Sequence, residues 1–298
     1  MSDYGRELSF GVSLVPAAQS RAELRELTHL ADRLGIDCVG IQDHPYQRRF
    51  LDTWALLAWL LAETELIRAF PNVANLPLRS PPAMMAKAAA SLDLLSGGRF
   101  ELGLGAGAFW DGIAAMGGKR RSPREAVDAL AEAIEVIRLC WSGERSASYQ
   151  GSHYSLDGLH PGPAPAHRIE IWLGAYKPRM LALTGRLADG WLPSHGYLGP
   201  VEAAEAHARI DAAAGEAGRD PAEIRRLYNI SGSIGGGGEE PLHGPVERWV
   251  ETLTSWATEL GFDTFVFWPE ADLPEQIERF AGDVAPAVRA AVASARDG

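Results

Sequence analysis

Asp43-His44-Pro45 sets a carboxylate beside an imidazole at the end of an apolar run, a pairing that can hold and move a proton near neutral pH. The same residues also suit a plainer role, with Asp43 capping a turn and His44 leading into a proline. A second stretch, Leu92 to Gly112, reads LDLLSGGRFELGLGAGAFWDG. Its apolar helix end stops at Ser96-Gly97-Gly98, where paired glycines supply left-handed backbone. Gly103, Gly105 and Gly107 then fall two apart along a strand, so every second position lacks a Cβ and leaves room for a large flat ligand or a phosphate on the backbone. Gly103, Gly105 and Ala108 also fit the G-x-G-x-x-A dinucleotide fingerprint, but that pattern must open directly into a helix. Here Phe109-Trp110-Asp111-Gly112 and Gly117 to Pro123 intervene, and no helix is expected before about Pro123.

Gly174-Ala175-Tyr176 precedes a helix and either offers its amides to a phosphate or makes a tight turn. Ser231-Gly232-Ser233 and Gly235 to Gly238 occupy the usual barrel phosphate position, yet Glu239 and Glu240 would repel an anion, so this stretch reads as a flexible lid. Lys119-Arg120-Arg121 is either a solvated charge run or an attractor for an acidic cofactor tail. His195 reads equally as a loop residue or a site residue. His153, His160 and His167 are expected to face solvent.

The elements that must position these residues alternate between short strand-like runs and amphipathic helical segments, eight of each. Strands are expected at Leu8 to Val15, Asp37 to Gln42, Leu66 to Ala74, the central glycine stretch, Ile169 to Leu173, Gly190 to Pro193, Ile224 to Ile234 and Phe262 to Trp268. Ser20 and Asp52 are placed to cap the first two helices, and Pro81-Pro82 and Pro123 to start the third and fourth. Between Trp141 and His167 the helical period is lost, and an insertion of about 143–168 is expected to hold a hairpin around Tyr149 to Leu156. Eight βα units without a composition break predict an α/β fold, a single (β/α)8 TIM barrel over 1–298. Its active site lies at the strand C-termini: Pro16; Asp43 and His44; Asn72 to Asn75; Gly105 to Asp111; Gly174 to Tyr176; Ser194 and His195; Gly232 and Ser233; and Trp268 to Glu270.

With 28 basic against 39 acidic residues, a net charge of -11 argues against nucleic acid or a membrane surface as partner and for a small-molecule substrate. Two cysteines, Cys38 and Cys140, make neither a disulfide framework nor metal-ligand spacing. No signal peptide or membrane span is read, and a cytoplasmic protein is expected.

With SGGRFELGLGAG, the DHP after the second strand, NVANLPLRSPP, WLGAYKPRM and ADGW following along nearly the whole chain, the sequence resembles the luciferase-like monooxygenase superfamily of flavin and deazaflavin enzymes. It looks closest to the branch that depends on coenzyme F420. The resemblance implies a tricyclic ring at the strand ends, with Asp43 and His44 on its ring or substrate side. It also implies a cis peptide between Asn72 and Val73, Val73 packing beneath the ring, and Gly105, Ala106 and Gly107 along its edge, with Asp111 among the cofactor contacts. Gly174, Ala175 and Tyr176, helped by Ser194, would hold the phosphate. The implied activity is hydride transfer between F420 and an organic substrate, with His44 handling the proton and Asp43 orienting it. Similar sugar-phosphate dehydrogenases carry a glutamate proton donor where this chain has Ala108, so a sugar phosphate is not expected. Phe109, Trp110, Trp268 and Tyr46 give an aromatic, apolar pocket instead. The alternatives are an FMN-dependent luciferase-like monooxygenase and a non-catalytic flavin- or deazaflavin-binding protein. Finally, WALLAWLLA, Trp54 to Ala62, is apolar all round, with Trp54, Leu57 and Leu61 on one side and Ala55, Trp59 and Ala62 on the other. A helix of that kind needs cover on both faces, which predicts a homodimer on the helices after strands two and three, as is common in the family.

Overall fold

A computed structural model describes residues 3–236, 238 and 240–297. The barrel strands are β1 (Ser9–Leu14), β2 (Cys38–Ile41), β3 (Arg68–Pro71), β4 (Ala74–Asn75), β5 (Leu102–Gly105), β8 (Ile171–Leu173), β9 (Gly190–Trp191), β10 (Arg225–Ile234) and β12 (Thr264–Pro269), with the short β11 (His243–Gly244) pairing with the end of β10. They pair in the order β3-β2-β1-β12-β10-β9-β8-β5-β4, and a parallel bridge from Ala69 to Phe100 closes the ring. β3 and β4 are the two halves of the expected third strand, interrupted at Asn72-Val73, where the peptide is cis. The chain folds as the expected (β/α)8 barrel, with strand bounds a few residues tighter than the sequence reading gave.

The helices around it are α1 (Arg21–Arg33), α2 (Thr53–Glu63), α3 (Leu76–Arg79), α4 (Pro82–Ser96), α5 (Trp110–Ala115), α6 (Pro123–Trp141), α7 (Pro178–Leu187), α8 (Pro200–Glu216), α9 (Val246–Ser255), α10 (Leu273–Arg279) and α11 (Ala285–Asp297). Asp52 caps α2 by accepting from the Ala55 amide at 3.0 Å, and Ser122 and Glu125 close a capping box on α6. α4 ends where expected, on Gly97 at φ 72°. Two expectations need correction. Ser20 makes no capping bond, because α1 is entered through a tight turn at Ala18–Ser20 rather than from extended chain. A helix also begins well before Pro123: Phe109 turns the chain at φ 56° and α5 follows at Trp110.

Inside the barrel lie Cys38, Phe70, Trp172, Leu192, Leu227 and Val266, apart from the larger apolar layer between strands and helices. Phe70 and Trp172 meet edge-on at 4.9 Å. They fit because the strands beside them lack side chains: a Cβ on Gly40 would stand 2.8 Å from Phe70 Cζ, and one on Gly190 2.5 Å from Trp172 Cδ1. The spacing of Gly103 and Gly105 has the same cause. A Cβ on Gly103 would run into the Pro71 carbonyl oxygen, and one on Gly105 would stand 2.8 Å from Val73 Cγ2. The Pro71 backbone and the Val73 side chain take up the space where those Cβ atoms would stand.

The insertion is a hairpin of β6 (Ala147–Gln150) and β7 (Ser155–Leu159), as expected, with Tyr149 opposite Leu156. Glu132 on α6 accepts the amides of Ser152, His153 and Tyr154. His160 is exposed, but His167 is not a free surface residue. Its Nδ1 lies 2.7 Å from Asp93 Oδ1 and its Nε2 3.1 Å from Glu101 Oε1, with both carboxylates buried. The hydrogen bond to Glu101 raises the His167 pKa, which favours the imidazolium, and the two carboxylate contacts pin the end of the insertion to the barrel.

A raised histidine pKa stabilises the fold fully below the ordinary value of about 6.5, and the gain is lost as pH rises through the folded value. In urea unfolding, the stability difference between the native protein and His167→Gln is expected to be largest near pH 6 and to shrink toward pH 8.5; a difference that grows with pH contradicts the imidazolium. Among the glycines, Gly105→Ala must displace Val73 and is expected to cost about 1–3 kcal/mol. Gly174→Ala, whose Cβ would meet Val73 Cγ2 at 3.4 Å, should stay within about 0.5 kcal/mol of the native protein. Equal losses in the two variants would show that Val73 packing is not what requires Gly105.

Candidate active site

The loop leaving β2 carries Asp43 and His44, and the two side chains go separate ways. Asp43 is buried; it accepts from Arg79 Nε at 3.0 Å, from Arg79 Nη2 at 2.6 Å and from the Asn75 amide at 2.9 Å. Arg79 reaches on to Asp52 at 2.7 Å, so this guanidinium ties the β2 loop to α3 and to the cap of α2. Asp43 makes no hydrogen bond to His44 among the described residues, which corrects its expected role as the residue that orients the ring. Tyr46 takes that place, with its hydroxyl 2.6 Å from His44 Nδ1.

His44 is half-buried and its ring meets Phe109 edge-on at 5.8 Å, while Tyr46 packs against Phe109 at 6.2 Å. Burial lowers the His44 pKa, with the Asp43 charge pulling the other way, so the ring is neutral near pH 7. Burial, helped by Asp43, pushes the Tyr46 phenol up to about 12. Phe109 holds a left-handed backbone conformation with its ring 65% exposed. Such a conformation costs a non-glycine residue of order 1–3 kcal/mol, and strain of this kind concentrates at functional sites.

Val73 stands half-buried over Gly103, Gly105 and Gly174, so the expected platform and its glycine edge do come together. Under it lies a polar layer. Asn72 Nδ2 donates to Asn229 Oδ1 at 2.7 Å, Asn229 Nδ2 returns the bond to Asn72 Oδ1 at 3.3 Å, and Asn72 also reaches Ser13 Oγ at 3.3 Å. Trp268 Nε1 donates to Asn229 Oδ1 at 3.3 Å. Ala106 and Gly107 continue the edge, with Gly107 at φ 104° against Pro77 and Trp110. Tyr176 turns its hydroxyl back to accept the Ser194 amide at 3.0 Å, which joins these two residues and commits that amide. Asp111 stands apart, its side chain 98% exposed and paired with Arg120. His195 packs on Trp256 and Tyr228 as a core ring would. Gly237 and Glu239 of the expected lid lie outside the described residues.

Sequence reasoning missed Ser13, Arg79 and Asn229. Ser13 and Asn229 did leave a signal, since each is a polar residue pointing inward from an apolar strand and now proves buried. Arg79 left none, because its role depends on two loops meeting.

A flavin-type ring fits this mouth. Among the described residues Asn75 Oδ1 is buried without a hydrogen-bond partner, an acceptor that a ligand N–H or O–H would satisfy, and Val73, two residues before it, offers a half-buried apolar side chain. Gly174, Ala175 and Tyr176 lead directly into α7, so their amides and the helix start are placed for a phosphate.

The 5,10-methylenetetrahydromethanopterin reductase of Archaeoglobus fulgidus is 32% identical over 214 residues, 71% of this chain and 60% of that protein. An F420-dependent glucose-6-phosphate dehydrogenase of Kineococcus radiotolerans is 29% identical over 198 residues, 65% of this chain and 58% of that protein. The match thus spans about three fifths of these relatives' length. Among solved structures, an F420-dependent secondary alcohol dehydrogenase in complex with an F420-acetone adduct superposes with a TM-score of 0.83 at 18% identity, over 95% of this chain and 99% of that one. The sequence pattern of luciferase-like monooxygenases matches residues 8–240, and the chain belongs to that family.

Proposed function

We propose that this protein is an oxidoreductase that moves a hydride between coenzyme F420 and an uncharged organic substrate. The observation that carries the reading is the neutral, half-buried His44 held against Tyr46 and Phe109 at the strand ends. The name of the K. radiotolerans relative supports F420 as the cofactor. Bound F420 would supply or accept the hydride. Val73 and the Gly105 to Gly107 edge would seat its ring, Asn75 Oδ1 would accept from it, and Gly174 to Tyr176 with Ser194 would hold its phosphate. His44 moves the accompanying proton at the substrate atom. Asp43 acts at one remove, anchoring the loop through Arg79.

A sugar phosphate suits the mouth poorly even though such relatives exist. Arg79 is already held by Asp43 and Asp52, and position 108 is alanine. Tyr46, Phe109, Trp110 and Trp268 favour an aromatic or aliphatic substrate.

Fluorescence titration of the purified protein is expected to show F420 binding at micromolar concentration and no comparable binding of FMN; binding of FMN alone overturns the cofactor assignment in favour of a flavin monooxygenase. With F420 established, His44→Ala is expected to lose roughly 10²-fold in kcat with F420 affinity kept, the usual scale for a general acid-base group. Unchanged turnover in that variant removes His44 from the chemistry.

The assembly that fits the outer surface is a homodimer. On α2, Ala55, Ala58, Trp59 and Ala62 face outward, while Leu56, Leu57, Leu60 and Leu61 are buried. Leu66 and, on α4, Leu95 extend this apolar face at 73% and 85% exposure. A second copy covering it would bury on the order of 2,000 Å² in total. Light scattering at micromolar concentration should give twice the chain mass, and Trp59→Glu should give a monomer; a dimer that survives that change is built on another face.

A further inference from the structure

The bond between Tyr46 and His44 fixes more than the tilt of a ring. A neutral imidazole carries one proton and shows one donor nitrogen and one acceptor nitrogen, and the partner of the first decides what the second can do. Phenol is a stronger acid than the N–H of neutral imidazole, and the bare imidazole nitrogen is a stronger base than a phenolic oxygen, so a hydroxyl 2.6 Å from Nδ1 forms the O–H···N bond. We propose that Tyr46 is a positioning residue that donates its hydroxyl hydrogen to His44 Nδ1, keeps the ring proton on Nε2, and so presents His44 to the substrate as a hydrogen-bond and proton donor. This rests on the hydride-transfer reading, and it names the substrate class: a carbonyl or similar unsaturated acceptor.

The chemistry balances. The acceptor carbon takes the hydride supplied by reduced F420, the carbonyl π pair moves to oxygen, and that oxygen takes the Nε2 proton. The Tyr46 hydroxyl proton passes to Nδ1 as the Nε2 proton leaves, and a solvent proton then returns to Nε2 while Nδ1 gives its proton back to the phenolate, which restores both groups.

The surroundings leave Tyr46 without a competitor. Asp43, the carboxylate next in sequence, is taken up by Arg79 and the Asn75 amide, and the ring facing His44 from the glycine loop is the apolar Phe109. Nε2 makes no hydrogen bond among the described residues. Tyr46 is also held from behind, since a Cβ on Gly112 would stand 2.8 Å from its Cγ. The direction of the two pKa shifts agrees: burial keeps the imidazole neutral and the phenol protonated.

Nitrogen NMR of the cofactor-free protein labelled with ¹⁵N-histidine tests this, with the His44 signals assigned from their loss in His44→Gln. The native protein is expected to show a pyridine-like Nδ1 and a pyrrole-like Nε2. Tyr46→Phe, and Gly112→Ala by pushing Tyr46 aside, should lower the ratio of the Nε2–H to the Nδ1–H form by about fivefold or more, the order of one hydrogen bond. With reduced F420 and an aryl ketone, Tyr46→Phe should lower kcat roughly tenfold while KM and F420 affinity hold. A native protein in the Nδ1–H form, or a ratio that Tyr46→Phe leaves unchanged, overturns the proposal. If the native protein shows no F420-dependent turnover, the hydride reading fails by itself, and the tautomer ratio still decides the role of Tyr46.

Discussion

The reciprocal amide bonds between Asn72 and Asn229 hold the architecture of the mouth together. Below them the barrel is packed by Phe70 and Trp172; above them it opens to the strand ends. Two buried amides at this depth are tolerable only because each satisfies the other, and removing one partner would leave the second to bear a desolvation cost of about 1–3 kcal/mol. The pair spans the barrel from the break between β3 and β4 to the middle of β10 and engages Ser13 and Trp268 on the strands between. It therefore fixes the floor on which Val73 stands. Val73 in turn explains why the strand and loop facing it must be glycine at 105 and can be glycine at 174.

Much of this was legible in the sequence wherever a local rule sufficed. The Asp52 cap, the Pro123 start and the Gly97 stop each mark a helix end by chemistry confined to a few residues, and they lie where the pattern put them. The barrel followed from counting units, because eight alternations leave few other closed arrangements. The readings that failed all required knowing which distant groups meet. Asp43 and His44 are adjacent, and adjacency suggested partnership, but Arg79 arrives from α3 with two donors and takes the carboxylate. His167 looked like a loop histidine until Asp93 and Glu101 closed on both of its nitrogens. The glycine ladder was read correctly as a need for space, and part of that space is taken by Pro71 and Val73, whose positions no strand-local pattern shows. α5 escaped because nothing in a composition rule foresees a phenylalanine held at φ 56°.

The charge arrangement at the mouth follows from the same crossing of loops. A carboxylate as buried as Asp43, left alone, would draw a proton onto the neighbouring imidazole and raise its pKa. Arg79 cancels most of that field, since its guanidinium sits between Asp43 and Asp52 and answers both. What remains around His44 is aromatic surface, so desolvation prevails over the residual attraction and the ring stays neutral. Neutrality is what makes the Tyr46 bond decisive. An imidazolium would present protons on both nitrogens whatever its partner, whereas a neutral ring has one to place, and the phenol beside Nδ1 governs where it goes. The chain thus sets the protonation of its candidate catalyst in two steps, first withdrawing the charge of Asp43 into an ion pair and then assigning the single proton through Tyr46.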